Sequence, residues 1–538
     1  VGARFYWDII SNFMFYRMTG NDRVFITDST LNPEYGDSYE NMRGVFYESL
    51  YRLRPDGQFL RLGDDYNEYN HYQGQYWTAY NGMFFYGANY FSDPYLLDRS
   101  MTTTTNAHAG YGDLSFSNDA SIMYLILNNT QLEPADISAL GKTMYCPGPN
   151  GMMLARTGWD INIDEPSSSN NVVALMKIGE RNAANHNHRD SGSFQLYYKG
   201  ILASESGYYD TYGNDHDSKY HKTSIAHNVI TVRTGDIAGG GQRTNMGEPS
   251  HFEIWMNDGY KTGEVLAHEY GPDAQNPEYS YIKGDVADAY SSGVEEATRS
   301  MLFMPLENSD YPAAMVVFDK VTSSDAAYKK SWLLHMQEEP AVNSSENRIN
   351  VTRTQDGYGG KMDVQTLLPV NAEYTAIGGE GHEFEVNGVN YPIQGTINSR
   401  WPTESGWGRV EISPSGNNLT DYFLNVLTVS DAGSTAARVE STLFENNTHY
   451  GAAFLDRLCL FAKNSRTKTN SMTLTVPKET AKVFIECMEA GDYVITDTLG
   501  ESALQRTVSE DGGVLYFDAA GGRTYTIAKG NYSVDGLK

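Results

Sequence analysis

NHNHRDSGSFQLYY, residues 185–198, runs directly into Lys199-Gly200 and then into ILASESGYYDTYG, residues 201–213. Two strand-like runs, 192–198 and 201–205, flank Lys199-Gly200, a spacing that predicts a β-hairpin. Side chains on an extended segment alternate faces, so an extended 185–190 would send His186 and His188 to the same side. Around this hairpin lie further short apolar runs at 172–178, 229–232, 314–319 and 330–336. Gly, Asn, Asp and Ser separate them, the pattern of a large antiparallel β-sandwich. Downstream, from roughly residue 435, regularly spaced short runs at 471–476, 482–488, 492–497, 513–518 and 523–528 predict a small β-domain.

Upstream the texture is helical. Phe5, Ile9, Phe13 and Tyr16 form an apolar stripe at helical spacing before Thr19-Gly20-Asn21-Asp22. Further helices are expected over 39–53, ending at the turn signal Arg54-Pro55-Asp56-Gly57, and over 75–90 and 117–127. Their aromatics fall on more than one face, as in helices stacked on helices. Pro147-Gly148-Pro149-Asn150-Gly151 marks the change from helix to strand. The expected fold is therefore α+β and multidomain: helices over 1–147, an antiparallel sandwich over 148–434 and a small β-domain over 435–538. A chain of 538 residues has room for about three such domains.

Composition narrows the function. With 68 acidic and 40 basic side chains the net charge is −28, a field that repels phosphate backbones and argues against nucleic acid as partner. Hydrophobic residues at 40% and charged ones at 20% allow large cores and exclude a disordered acidic polymer. No apolar run of about 18 residues occurs, so no membrane span is expected. Three cysteines are too few for a disulfide framework. Tyrosine is abundant, 39 residues against 21 Phe and 7 Trp, and its apolar ring with a polar tip suits wet ligands such as sugars.

Histidine concentrates in one place: His186, His188, His216, His221 and His227 are five of the chain's twelve. Neighbouring imidazoles can share a metal, or divide between a metal and a proton transfer. Glu205 and His227 lie within forty residues of His188, and three N/O ligands plus water is a common zinc arrangement. On spacing alone, a hydrogen-bonded His pair is the competing reading.

Residues 185–213, together with GMMLARTGWD at 151–160 and YHKTSIAHNVITV at 220–232, resemble the signature of the heparinase II/III family of polysaccharide lyases. That family includes heparin and heparan sulfate lyases and alginate exolyases. The resemblance implies an α/α toroid, here partial, followed by β-sandwich domains, in a periplasmic or secreted protein. It implies one structural zinc, with His188 and His227 as ligands and Glu205 where the family often has Asp. It implies His186 as the catalytic histidine, Asn185 as the residue that binds the substrate carboxylate, and a tyrosine general acid from a toroid helix. Tyr6 is the candidate acid, with Tyr16 behind it; Ala3 stands at that place if the chain is a disabled variant. Tyr208, Tyr209 and Tyr212 are candidate sugar contacts, and the polar-aromatic run 66–77, ending in Trp77, a candidate opposing wall. Arg189 and Arg61 are candidate anion binders, within a local basic set that includes Arg181, Lys199, Lys219 and Lys222. The family's toroid calls for helices ahead of Val1, so a further segment or a second chain is expected to complete it.

The implied reaction is β-elimination on a uronate polysaccharide or oligosaccharide, endolytic or exolytic. The run 185–200 points to heparin or heparan sulfate, and SGYYDTYG at 206–213 to alginate as the alternative. From other classes, the competing expectations are a carbohydrate-binding protein that lost catalysis and a metal-dependent hydrolase.

Overall fold

The protein is described by a computed structural model covering residues 11, 12, 14, 15, 17–20, 38–64, 79–102, 128–162, 165–182, 186–235, 238–243, 257–290, 292–394, 404–499 and 503–530. Tyr6, Tyr16, Trp77, Asn185 and the expected helix 117–127 lie outside the described residues.

Helix α1 (Ser38–Arg52) and helix α2 (Ala79–Phe91) fall close to the expected 39–53 and 75–90. α1 stops where Pro55 cannot supply an N–H, and the chain turns through Gly57 at φ +75°, with Gly57 N–H donating to Arg54 O at 3.0 Å. Helix α3 (Pro94–Thr102) was not foreseen, although Pro94 suits a first helical position. Asp93 caps α3: its Oδ1 accepts from the N–H groups of Tyr95 at 3.0 Å and Leu96 at 3.1 Å. Its Oδ2 takes the Arg43 guanidinium at 2.6 Å, tying α1 to α3. Residues 11, 12, 14, 15 and 17–19 are helical as well, and these helical segments do not trace a toroid among the described residues.

Five antiparallel strands follow and pair in chain order: β1 (Thr143–Cys146), β2 (Met152–Arg156), β3 (Val172–Lys177), β4 (Phe194–Tyr198) and β5 (Ile201–Ala203). Lys199 at φ +47° and Gly200 at φ +132° make the expected hairpin between β4 and β5. Strands β2 and β4 are buried along their whole length and β3 up to Lys177, so they read as continuous apolar runs rather than alternating ones. The alternation reappears in what each residue packs against. Met152, Leu154, Val173, Leu175 and Tyr197 join the core of α1 and α2, with Phe46, Leu50 and Phe84. Met153, Ala155, Val172, Ala174, Met176, Phe194 and Leu196 join the sandwich core. This sheet is thus a middle layer with apolar cover on both faces.

The sandwich itself comprises β6 (Ile230–Val232), β7 (Glu264–Gly271), β8 (Tyr279–Asp285), β9 (Val294–Pro305), β10 (Ala313–Ser323), β11 (Lys330–Met336), β12 (Ala341–Asn343), β13 (Arg348–Arg353), β14 (Gly360–Leu368), β15 (Ala372–Gly378), the short pair β16 (Glu385–Val386) and β17 (Val389–Asn390), β18 (Gly408–Pro414) and β19 (Thr420–Asp431). One sheet runs β12-β13-β14-β19-β10-β9-β8-β7 and another β15-β18-β11-β6. Trp332, Leu334, Val410 and Ile412 of the smaller sheet meet Met301, Phe303, Met315, Val317 and Phe423 of the larger in one core.

Beyond β19 lie a five-stranded sheet that starts at Ser441–Glu445 and a four-stranded one, around a further core that includes Leu460, Ile485 and Ile527. The strands expected in this region are present with edges moved by up to three residues, and Ser441–Glu445, His449–Phe454, Arg457–Ala462 and Ala503–Val508 are additional ones.

The segment between α1 and α2 is clamped to the sandwich. Buried Arg54 forms a two-pronged ion pair with Glu404, at 2.7 and 2.9 Å, and a second pair with Asp56. Asp56 in turn accepts from the Tyr358 hydroxyl at 2.9 Å. Replacing one partner strands buried charges, which costs about 3–5 kcal/mol. Arg54→Met is therefore expected to lower unfolding stability by about that amount in urea titration. The double variant with Glu404→Gln should recover part of it. A loss under about 1 kcal/mol would show that the clamp contributes little.

Candidate metal and catalytic site

Arg61 carries the clamp to the site. Its guanidinium donates to three backbone carbonyls of the sandwich: Glu205 at 2.6 Å, Gly207 at 2.9 Å and Glu404 at 3.1 Å. Its own backbone exchanges hydrogen bonds with the Gln195 side chain, at 3.1 and 2.6 Å. Arg61 is thus buried and committed to the fold rather than offered to a ligand. Two residues on, Gly63 sits at φ +59°, and a Cβ there would lie 2.4 Å from His186 O. Only glycine lets the loop approach so closely. Asp64 N–H then donates to His186 O at 3.2 Å, which delivers the Asp64 carboxylate to the histidine motif.

The motif is held from the other side as well. Arg189 N–H donates to Lys222 O at 3.1 Å, and Ser224 Oγ donates to Arg189 O at 2.7 Å. Buried Asp190 pairs with Lys177 at 2.7 Å, and Gln242 brackets Ser191 through its backbone N–H and C=O. Residues 186–190 are irregular, with bends at His186 and Arg189, and do not form a strand. His186 and His188 nevertheless converge on one carboxylate: His186 Nδ1 lies 2.6 Å from Asp64 Oδ2, and His188 Nε2 lies 2.8 Å from Asp64 Oδ1.

On the inner side, His188, Glu205 and His227 are all buried, and one potential ligand atom of each lies within 4.8 Å of the others. Glu205, just past the end of β5, contacts His227 Nδ1 directly. Asn228 fixes the next position, donating to Phe194 O at 2.8 Å and Ser204 O at 3.1 Å while accepting from His335 N–H at 2.8 Å. His188 Nδ1 and His227 Nε2 are buried without a hydrogen-bond partner. Unpartnered buried polar atoms are costly, and two imidazoles with a carboxylate form a donor set suited to a cation such as zinc. The residues present therefore fit a metal.

A second grouping, Asp64, His188 and His221, shares His188. Burial pushes the His188 imidazole below its ordinary pKa. It pushes His221 well below, helped by the neighbouring His188 and Arg61 charges, which keeps His221 neutral. Burial raises the Asp64 carboxyl, but hydrogen bonds from His188 and His186 and the Lys222 charge outweigh it and leave the pKa lowered.

The outer side is open. The His186 side chain is 56% exposed. The rings of Tyr209 and Tyr212 stand edge-on to it, each with a centroid separation of 5.8 Å. Lys222 Nζ sits 4.1 Å from the Tyr212 ring centroid, 3.4 Å from Asp64 Oδ2 and 3.0 Å from Asp217 Oδ2. Tyr208, expected beside its neighbours as a sugar contact, is buried at 5% exposure. Arg189 is half-buried, and among the described residues its guanidinium has no hydrogen-bond or ion-pair partner. Burial lowers its pKa.

Sequence reasoning missed Asp64. It lies 122 residues from His186, and nothing in local spacing marks it.

A family model described as heparinase II/III-like, C-terminal, matches residues 149–384, and one described as heparinase II C-terminal domain matches residues 443–529. The chain belongs to the heparinase II/III family. A solved heparinase III resembles it with a TM-score of 0.52 at 11% identity, over 85% of this chain and 58% of that one. A second solved heparinase III gives a TM-score of 0.47 at 13% identity, over 78% of this chain and 52% of the other. The chain thus spans little more than half the length of these relatives. No curated protein sequence matches it.

A bound cation that prefers the folded state stabilises it by mass action, by about 4 kcal/mol at a thousandfold excess over Kd. Thermal unfolding of the chain should therefore shift upward with added zinc and downward with a chelator. His188→Ala should abolish the shift. A melting temperature indifferent to zinc would contradict the metal assignment.

Proposed function

We propose that the chain is a polysaccharide lyase that cleaves a uronate-containing polymer by β-elimination, with heparin or heparan sulfate as the favoured substrate. The observation that carries this reading is the exposed His186, flanked by Tyr209 and Tyr212 and backed by Asp64, with the Lys222 ammonium 3.4 Å from the same carboxylate. Family membership supports it.

The C5 proton of a uronate is hard to remove while the adjacent carboxylate is charged. Donors or cations at that carboxylate stabilise the developing enolate. Arg189, Lys222 and Asn185 are assigned to this task. His186 takes the C5 proton as general base. The electron pair becomes the C4–C5 double bond, the C4–O4 bond breaks, and a general acid protonates the departing O4. Tyr6 is assigned as that acid. His188, Glu205 and His227 would hold a metal, whose positive charge would tie the loops around β5 and β6 together, and the proton transfers stay with the protein's own groups. The net charge of −28 repels an anionic sugar at long range, so binding rests on local cations, for which Lys222 and Arg189 are the candidates.

The experiment is to mix the protein with heparan sulfate, heparin and alginate separately and follow the ultraviolet absorbance of the unsaturated uronate product. Absorbance should rise with heparan sulfate or heparin. His186→Ala should lower turnover by about 10²–10⁴-fold while circular dichroism stays unchanged. No rise with any uronate polymer would contradict the lyase reading, and a rise with alginate alone would correct the substrate.

A further inference from the structure

The geometry points to Asp64 as a positioning residue that orients the catalytic histidine and the metal-binding histidine at once, each through one carboxylate oxygen. The proposal rests on the reading of His186 as base and His188 as metal ligand, and on three observations. First, the carboxylate is spanned: Oδ2 meets His186 Nδ1 at 2.6 Å, and Oδ1 meets His188 Nε2 at 2.8 Å. An ionised carboxylate only accepts, so each of those ring nitrogens carries the proton. His186 is left with a bare Nε2 as its basic atom. His188 is left with a bare Nδ1, which is the buried nitrogen that lacks a partner. A metal-ligating imidazole that donates its other N–H to a carboxylate is the usual way a protein fixes ring orientation and raises ligand basicity.

Second, Asp64 is itself held. Its side chain is 5% exposed, Gly63 brings its backbone against His186 O, and Arg61 fixes the loop to the sandwich. Third, the competing role, a second metal held by Asp64, His188 and His221, would place a cation beside the Lys222 ammonium, which already stands 3.4 Å from Asp64 Oδ2. Like charges so close in a buried setting repel.

The test uses the full chain labelled with ring-¹⁵N histidine, with the zinc-free and zinc-loaded forms read by long-range ¹H–¹⁵N correlation. In the wild type, His186 should carry its proton on Nδ1 in both forms, and His188 should carry it on Nε2 with zinc at Nδ1. Asp64→Asn should blur both tautomer assignments and weaken zinc binding about 10–100-fold. It should also lower kcat by a similar factor with KM changed less than about twofold, and Asp64→Glu should restore part of each. A wild-type His186 protonated on Nε2 would overturn the proposal, as would tautomers and zinc affinity unchanged in Asp64→Asn. Two zinc ions per wild-type chain falling to one in Asp64→Asn would make Asp64 a ligand and overturn it too. If the wild type turns over no polymer, the lyase reading fails, while the tautomers and zinc affinity still decide the role of Asp64.

Discussion

The buried guanidinium of Arg61 is the contact on which the site depends. It gives its protons to backbone carbonyls at Glu205, Gly207 and Glu404, so one side chain from the helical segment holds two sandwich loops in place. Burial pushes its pKa down, against the pull of Glu205 and Glu404. Three carbonyl acceptors in fixed directions suit the planar fork of arginine, and lysine could not reproduce them. Without this anchor, Gly63 has no reason to press on His186 O, and Asp64 has no fixed position. The chemistry is thus assembled across the boundary between helices and sheets.

The middle sheet explains why that boundary is rigid. Strands β2 to β4 send alternate side chains into two different cores, with Leu154 and Val173 toward the helices and Met153 and Val172 toward the sandwich. A layer packed on both faces cannot slide without opening one of them. The histidine motif precedes β4 directly, and Glu205 follows β5 directly. Both therefore inherit the position of a fully buried hairpin, and Asn228 stitches the His227 segment to the same two strands.

Much of this was legible in the sequence, for physical reasons that differ by element. The β4–β5 hairpin followed from Lys199-Gly200 between apolar runs, and α1 from a helical stretch closed by Arg54-Pro55-Asp56-Gly57. These signals are local. The grouping of His188, Glu205 and His227 was legible through the family resemblance of the motifs that carry them, spacing alone leaving a hydrogen-bonded pair open. Asp64 was not, because a contact between residues 122 apart leaves no mark on either neighbourhood. Arg61 was noticed as a cation but read as an anion binder. Its carbonyl partners belong to the backbone, and backbone acceptors have no sequence signature. Strand alternation was the condition for His186 and His188 to share a side; residues 186–190 are not a strand, yet the two imidazoles still meet, because a shared carboxylate gathers them.

The account holds that one metal lies on the inner side of His188 and that Asp64 serves the protein from the outer side. An anomalous difference map from zinc-loaded crystals, collected at the zinc absorption edge, tests this most directly. The account predicts a single peak at bonding distance from His188 Nδ1, the Glu205 carboxylate and a His227 ring nitrogen. A peak bonded to Asp64, or no peak at all, would contradict it.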